Sequence, residues 1–338
     1  MLRLPDAWQR LWVRTAVRLH VLPRACSHGV WGCRYYWYHR TLHEFHVMWA
    51  SHSVHHSGED YNLATGLRQG VFQPFWAPPF YCWMALLGFP PAAFAAHAQL
   101  NTLYMYWIHT DVVSRLPGPL EYIFNSPMPH RLHHRPPGNC NYAGMFIIWD
   151  RMFGTYRSEV VRKDLYGLAK QPMTFDPVKL NTNHFNRMAD IGARDAPGSV
   201  RRSWAYRIFA RRVPFRFTFS LAALFKPIPP LKEDTRSKGA VRPKWNGAQR
   251  MSWWVAVYTV IVSVLSLVGL VKLLIVGSKL HFWDGIMGTL FSGLLLSAIG
   301  RIFDQHPGQY QRAMVEAFVL LCARTAVLYA QPGAAWSS

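Results

Sequence analysis

Charge is scarce in this chain, and negative charge is scarcest. Charged residues fill 16% of the 338 positions, against roughly 25% in an ordinary soluble protein. With 51% of residues apolar, intrinsic disorder is excluded and a plain cytosolic globule is disfavoured. The five cysteines are odd in number and lack paired spacing. That excludes a disulfide scaffold and makes a reducing compartment the default. Neither a secretory signal peptide nor a repeat of 20–50 residues is visible.

What is abundant complements what is missing. Aromatics reach 15%, with 15 Trp and 15 Tyr, as suits long membrane–water boundaries. Lys and Arg number 37 against 17 acids, a net charge of +20. Such an excess fits either nucleic acid or an anionic membrane face, so its placement decides. Residues 157–250 hold 20 of the basic residues and seven acids. Arg201-Arg202 and Arg211-Arg212 there are interleaved with Trp204, Phe209, Phe215, Phe217 and Phe219. This pattern predicts a basic interfacial segment on the cytosolic side. No nucleic-acid motif accompanies it, and no nucleic-acid partner is expected.

Apolar runs supply the membrane expectation. Residues 69–110 are 42 positions without Asp, Glu, Lys or Arg. As a helix that run is about twice the ~30 Å hydrocarbon core, and Gly88-Phe89-Pro90-Pro91 breaks it in the middle. The pattern predicts a membrane hairpin that enters and leaves on one side. Trp253–Val271 is long enough to span, Gly285–Gly300 is short but extendable from Leu280, and Ala313–Ala330 carries Glu316 and Arg324. Residues 1–34 contain six Arg and one acid, with Leu4, Trp8, Leu11 and Trp12 on one helical stripe. They read as an interfacial amphipathic helix or, alternatively, a mitochondrial presequence.

Histidine carries the chemistry. His39, His43, His46, His52, His55 and His56 fall within 18 residues, and His130, His133 and His134 within five. On a helix, positions i and i+4 share one face. The spacing therefore predicts that His39 and His43 point at one centre, and that His52, His55 and His56 do the same, as do His130, His133 and His134. Eight imidazoles are about twice the needs of one tetrahedral ion, which points to two metal ions. Imidazole suits iron, zinc and copper alike. The expected hairpin would return residues 130–134 to the membrane face of residues 39–56, with His109 at its emerging end as a further candidate ligand. His46 reads as packing or support. His20, His28, His97, His184, His281 and His306 read as ordinary structural histidines.

Several stretches resemble the fatty acid hydroxylase / sterol desaturase superfamily. They include Tyr35-Tyr36-Trp37-Tyr38-His39-Arg40, His43-Glu44, Trp49-Ala50-Ser51-His52-Ser53-Val54-His55-His56, Phe124-Asn125-Ser126-Pro127, Asn141-Tyr142 and Ile148-Trp149-Asp150-Arg151-Met152-Phe153-Gly154-Thr155. Glu59-Asp60-Tyr61-Asn62-Leu63 and Trp107-Ile108-His109-Thr110 favour its ether-lipid branch. The resemblance is strong over residues 35–180. Two departures stand out: the 34 residues before Tyr35 do not match, and the loop at Arg135–Asn139 is short.

The resemblance implies an all-α, polytopic membrane helical bundle with a cytosol-facing histidine-rich diiron site, in the endoplasmic reticulum. It implies two Fe ions, O2 as co-substrate, tetrahydrobiopterin as electron donor and an ether lipid as substrate. The alkyl carbon beside the ether oxygen would be hydroxylated. A sterol or fatty-acyl hydroxylase or desaturase, and a truncated non-catalytic membrane form, are the alternatives. Glu44, Glu59 and Asp60 are candidates for orienting the imidazoles, and Tyr61, Asn62 and Arg68 for lining a head-group or cofactor site. The expected division is residues 1–34, a diiron domain at 35–185, a basic segment at 186–250 and transmembrane segments at 251–338.

Overall fold

A computed structural model describes residues 21–86, 89–113, 115–136, 138–158, 166–168, 170–194, 251–276, 280–306 and 308–329. The stripe at residues 4–12, Gly88 and the basic run 195–250 lie outside the described residues. All regular structure among the described residues is helical, apart from a single antiparallel bridge between Phe124 and Phe146. The chain divides into two compact units, residues 1–171 with 184–242 and residues 172–183 with 243–338.

The first unit is organised on helix α1 (Val21–Glu44), which runs unbroken through position 34. Phe45 is extended, ending α1 and starting α2 (His46–His52). A 3-10 turn (His55–Ser57) and α3 (Leu63–Leu67) follow. Asn62 caps α3, accepting from the Ala64 N–H at 2.9 Å, while the Thr65 side chain returns to the Asn62 N–H. This reciprocal cap is what fixes so short a helix.

The charge-free run becomes a 3-10 turn (Gln73–Trp76), α4 (Pro78–Leu86) and α5 (Pro91–Trp107). Proline opens both helices, where its missing N–H costs no hydrogen bond. With 9 and 17 residues, the arms are about 13 and 25 Å long at 1.5 Å per residue. Both are shorter than the ~30 Å hydrocarbon core, because the prolines at 74, 78 and 79 spend nine residues on turns before α4 begins. Leu86 and Leu103 stay 84% and 67% exposed, so the arms keep apolar outer faces. Three short helices complete the unit: α6 (Leu120–Ile123), α7 (Pro127–His134) and α8 (Ile148–Met152). The aromatic cluster of Tyr36, Tyr142, Phe153 and Tyr156 packs behind them. Part of α9 (Pro177–Arg194) also belongs to this unit, where Met188 joins Tyr38, Leu42, Val47 and Met48.

The second unit contains α10 (Trp253–Val276), α11 (Phe282–Asp304) and α12 (Gln309–Tyr329). Val255, Val262, Leu295, Ile299, Ile302 and Ala317 form its core. Helices α10 and α11 are long and apolar enough to cross a membrane. Their outer side chains include Trp253, Leu274 and Ile275, exposed by 70% or more, an apolar surface too extensive for water. Two charges of α12 are partnered within the unit, one at its surface and one buried. Glu316 pairs with Arg301 at 2.5 Å, and buried Arg324 donates to the carbonyls of Leu265 and Ser266 at 2.8 and 2.9 Å.

The segment before α9 docks on α11. Asp304 accepts from the Thr174 hydroxyl and the Phe175 N–H, and Asp176 accepts from Ser297 and from the Val178 N–H. Gly300 makes this close approach fit, since an added Cβ would meet the Phe175 carbonyl oxygen at 2.5 Å and the Asp176 Cα at 2.6 Å. Gly300→Ala is favoured by helix propensity by about 1 kcal/mol, but overpacking against fixed backbone costs about 1–3 kcal/mol. We expect the substitution to lower the unfolding temperature of the detergent-solubilised protein. A raised midpoint would show that the docked segment yields.

Candidate metal centre

Nine histidines converge in two buried groups. His39, His43, His52, His56 and His133 form one, and His55, His109, His130 and His134 the other. Within each group, one nitrogen per ring lies within 4.8 Å of all the others. The grouping corrects the expectation that each sequence cluster serves one centre. His52 and His56 go to the five-histidine group while His55 goes to the other. Conversely, His130 and His134 join the four-histidine group and His133 crosses to the five. Consecutive helical residues point about 100° apart. An i, i+4 pair can therefore share a centre, but the residue beside it cannot. The end of α2 at His52 and the 3-10 turn at His55 sharpen the split. His109 follows the C-terminus of α5 and completes the second group. His46 lies outside both, with its Nδ1 3.3 Å from His184 Nε2.

Five rings are oriented from behind. His39 Nδ1 is 2.7 Å from the Tyr142 carbonyl, His133 Nδ1 2.8 Å from that of Cys140, and His55 Nδ1 3.0 Å from that of Arg68. His109 Nδ1 meets the Met105 carbonyl and His52 Nδ1 the Gln73 side-chain oxygen. A carbonyl oxygen can only accept, so each of these Nδ1 atoms carries the proton. Each Nε2 is then a bare lone pair.

Those lone pairs face one another. His39 and His52 meet Nε2 to Nε2 at 3.0 Å, and His55 and His109 at 3.3 Å. Two acceptors at that distance repel unless a cation lies between them. Protonation is opposed, because burial pulls His39 and His109 down to about 4 and lowers His52, His55, His56, His130, His133 and His134 as well. A metal ion would resolve the conflict. At a metal–nitrogen distance of about 2.0–2.1 Å, neighbouring ligands sit about 3.3 Å apart in a tetrahedron and about 2.9 Å apart in an octahedron. The observed separations match those edges. The Nε2 atom of His133 is buried without a hydrogen-bond partner, as a ligand atom would be. The donor set fits a metal at both groups.

The remaining expected residues take other places. Glu44 is engaged by Arg40 at 2.7 Å. Glu59 is half-buried and Asp60 exposed in the turn before α3, where the Asp60 carbonyl accepts from the Thr65 hydroxyl. Tyr61 donates to the Ile108 carbonyl, and its ring lies 5.2 Å from that of His134 and 5.7 Å from that of His109. Arg68 donates to the Val54 carbonyl and the Ser57 hydroxyl, steadying the carbonyl that orients His55. Sequence reasoning missed Gln73, for which no signal existed. It also missed the role of Asp150, although the Trp149-Asp150-Arg151 stretch had marked that position.

Residues 26–155 match the fatty acid hydroxylase family. All nine converging histidines lie inside that segment. Over 153 residues the chain is 50% identical to the alkylglycerol monooxygenase of Homo sapiens, covering 44% of this chain and 34% of the relative. It is 53% identical over 145 residues to that of Danio rerio, covering 42% and 32%. An ornithine lipid hydroxylase of Rhizobium tropici is 32% identical over 127 residues, covering 36% and 38%. The alignments thus span about a third of these curated relatives' length. No solved structure matches the chain.

The neutral rings make stability pH-dependent. Unfolded histidine titrates near 6.5, while His39 and His109 in the fold titrate near 4. Between those values the unfolded chain binds more protons, so the stability of metal-free protein is full above pH 6.5 and falls as pH drops toward 4. Bound metal opposes this loss by mass action. Melting temperatures of metal-free and metal-loaded protein from pH 7.5 to 4.5 should diverge on acidification. Parallel, flat profiles would contradict neutral, metal-binding rings.

Proposed function

We propose that this chain is a membrane diiron monooxygenase of ether lipids. His39, His43, His52, His56 and His133 would hold one iron, and His55, His109, His130 and His134 the other. The facing lone pairs of neutral, buried imidazoles are the observation that carries this reading. The match to alkylglycerol monooxygenases supports the choice of substrate. Bound iron would supply the activation of O2 needed to insert one oxygen atom into a C–H bond. Tetrahydrobiopterin is the proposed donor of the two electrons.

The reaction balances as follows. The alkyl CH2 beside the ether oxygen gains a hydroxyl, the second oxygen atom leaves as water, and the donor loses two electrons and two protons. The resulting hemiacetal collapses to a fatty aldehyde and a glycerol derivative. The protein's part is to hold nine rings neutral and oriented, and to exclude water by burial. The apolar outer faces of α4 and α5 suit approach of the lipid tail.

The proposed setting follows from charge and length. Helices α10 and α11 would span the bilayer, α4 and α5 would dip into it, and the basic 186–250 segment would lie at the cytosolic face. The diiron domain at 35–185 would share that face, in the endoplasmic reticulum.

The test is ether cleavage. Membranes carrying the full chain, made in cells lacking the activity, are given an alkylglycerol with and without tetrahydrobiopterin, and fatty aldehyde is followed. We expect pterin-dependent aldehyde that falls at least ~100-fold in His55→Ala and in His133→Ala, which removes one ligand from each group. Turnover supported only by a different electron donor, or no aldehyde from protein that carries iron, would sink this assignment.

A further inference from the structure

The two histidine groups are supported by different parts of the chain. The five-histidine group leans on the Gln73 side chain behind His52 and on the loop 138–144, whose carbonyls at Cys140 and Tyr142 accept from His133 and His39. The four-histidine group leans on the Arg68 and Met105 carbonyls. A lesion in one support should therefore disturb one centre.

Asp150 is the fastener of the first support. It is fully buried. Its two carboxylate oxygens accept from the Tyr142 N–H at 2.8 Å and the Ala143 N–H at 2.7 Å. The Thr155 hydroxyl donates a third bond at 2.6 Å. The peptide unit that presents the Tyr142 carbonyl to His39 is thus the one whose N–H on Ala143 is gripped by Asp150. Asn141 strengthens the same loop by donating to the Pro129 carbonyl in α7, and the Asn125 side chain donates to the Ala143 carbonyl. Nothing comparable ties Asp150 to the supports of His55 and His109 among the described residues.

We propose that Asp150 is a positioning residue for the five-histidine centre alone, fixing His39 and His133 through the 138–144 loop. The proposal rests on the two-metal reading of the site. Asp150→Asn is the informative variant, because it keeps the shape but turns an NH2 group toward a backbone N–H. Two donors then face each other and one carbonyl-bearing peptide is released.

The experiment is metal stoichiometry on the purified, detergent-solubilised full chain. Protein is loaded with Fe(II) and counted against protein, then challenged with a graded chelator. Co(II) is titrated in parallel to read the two centres by their separate absorption components. Wild type should hold two Fe(II) per chain. Asp150→Asn should keep its helix content and one tightly held iron. Its second iron should be released at about 10-fold lower chelator, in the range that outer partners of metal ligands command, and one Co(II) component should disappear. Thr155→Val removes the third hydrogen bond but leaves both N–H bonds of the loop, and it should hold two irons.

Two irons held equally tightly in Asp150→Asn would overturn the proposal. So would loss of both irons from a folded variant, or loss of one from Thr155→Val, since either makes the effect general packing. Wild type that binds no more than one iron would fail on the two-metal reading itself, which separates that failure from this one.

Discussion

The described part of the first unit is built around one electrostatic conflict: unprotonated imidazole nitrogens held face to face in a buried place that opposes protonation. No protein would gather nine neutral rings for packing, because a leucine of similar volume would do so without desolvating two polar atoms. A cation at the centre of each group would relieve that repulsion. The surrounding fold must then prevent the rings from turning away when the cation is absent. Five of the nine are restrained from behind, four of them by backbone carbonyls. Backbone is the stiffest acceptor available, and in a chain with 17 acids it is also the most plentiful.

That choice explains what the sequence could and could not reveal. The histidine pairs His39/His43, His52/His56 and His130/His134 are legible because i, i+4 spacing is a property of the helix itself. The crossing of His55 and His133 to opposite groups is not, because it depends on where α2 ends and how two helices face each other. Supporting carbonyls have no side-chain identity, so no residue type announces Cys140, Tyr142, Arg68 or Met105. Acids seemed natural partners for imidazoles. Glu44 instead closes a buried line in which Arg40 donates to it and to Tyr36, and Tyr36 shares a hydrogen bond with Thr155. Tyr36, Arg40 and Glu44 are spaced by four on α1, so the ligand stripe and its supporting stripe lie side by side on one helix.

The fold was legible to a similar depth. Helical content, the break near Gly88 and Pro90, and the long apolar helices after residue 250 all follow from local composition. Helix ends do not. Phe45 interrupts a run that composition alone would continue, and residues 69–77 look apolar enough to be membrane helix yet form turns. Gln73, in the middle of that stretch, accepts through both its main chain and its side chain: the Tyr38 hydroxyl donates to its carbonyl and His52 to its amide oxygen. The prolines thus break the run locally, and these two tertiary bonds hold the resulting turn in place.

Scarcity of acid also shapes how the positive charges are buried. Arg40 has a carboxylate partner, but Arg324 relies on two helix carbonyls. Arg151 takes the Glu121 carbonyl and lies over the rings of Tyr156 and Tyr122 at 3.9 and 4.5 Å. Arg34 goes further. Its guanidinium lies between the rings of Tyr81 and Trp31 at 3.7 and 4.2 Å, and its nitrogens make no hydrogen bond among the described residues. A desolvated cation–π contact contributes about 2 kcal/mol, against several kcal/mol for taking an ion out of water. Two rings therefore offset part of that cost, and burial draws this arginine down to about 10. The aromatic wealth of the chain is thus more than a membrane boundary: in a protein short of carboxylates, ring faces join backbone carbonyls as partners for buried cations. The same shortage leaves both groups built of neutral nitrogen donors alone, without a carboxylate among them.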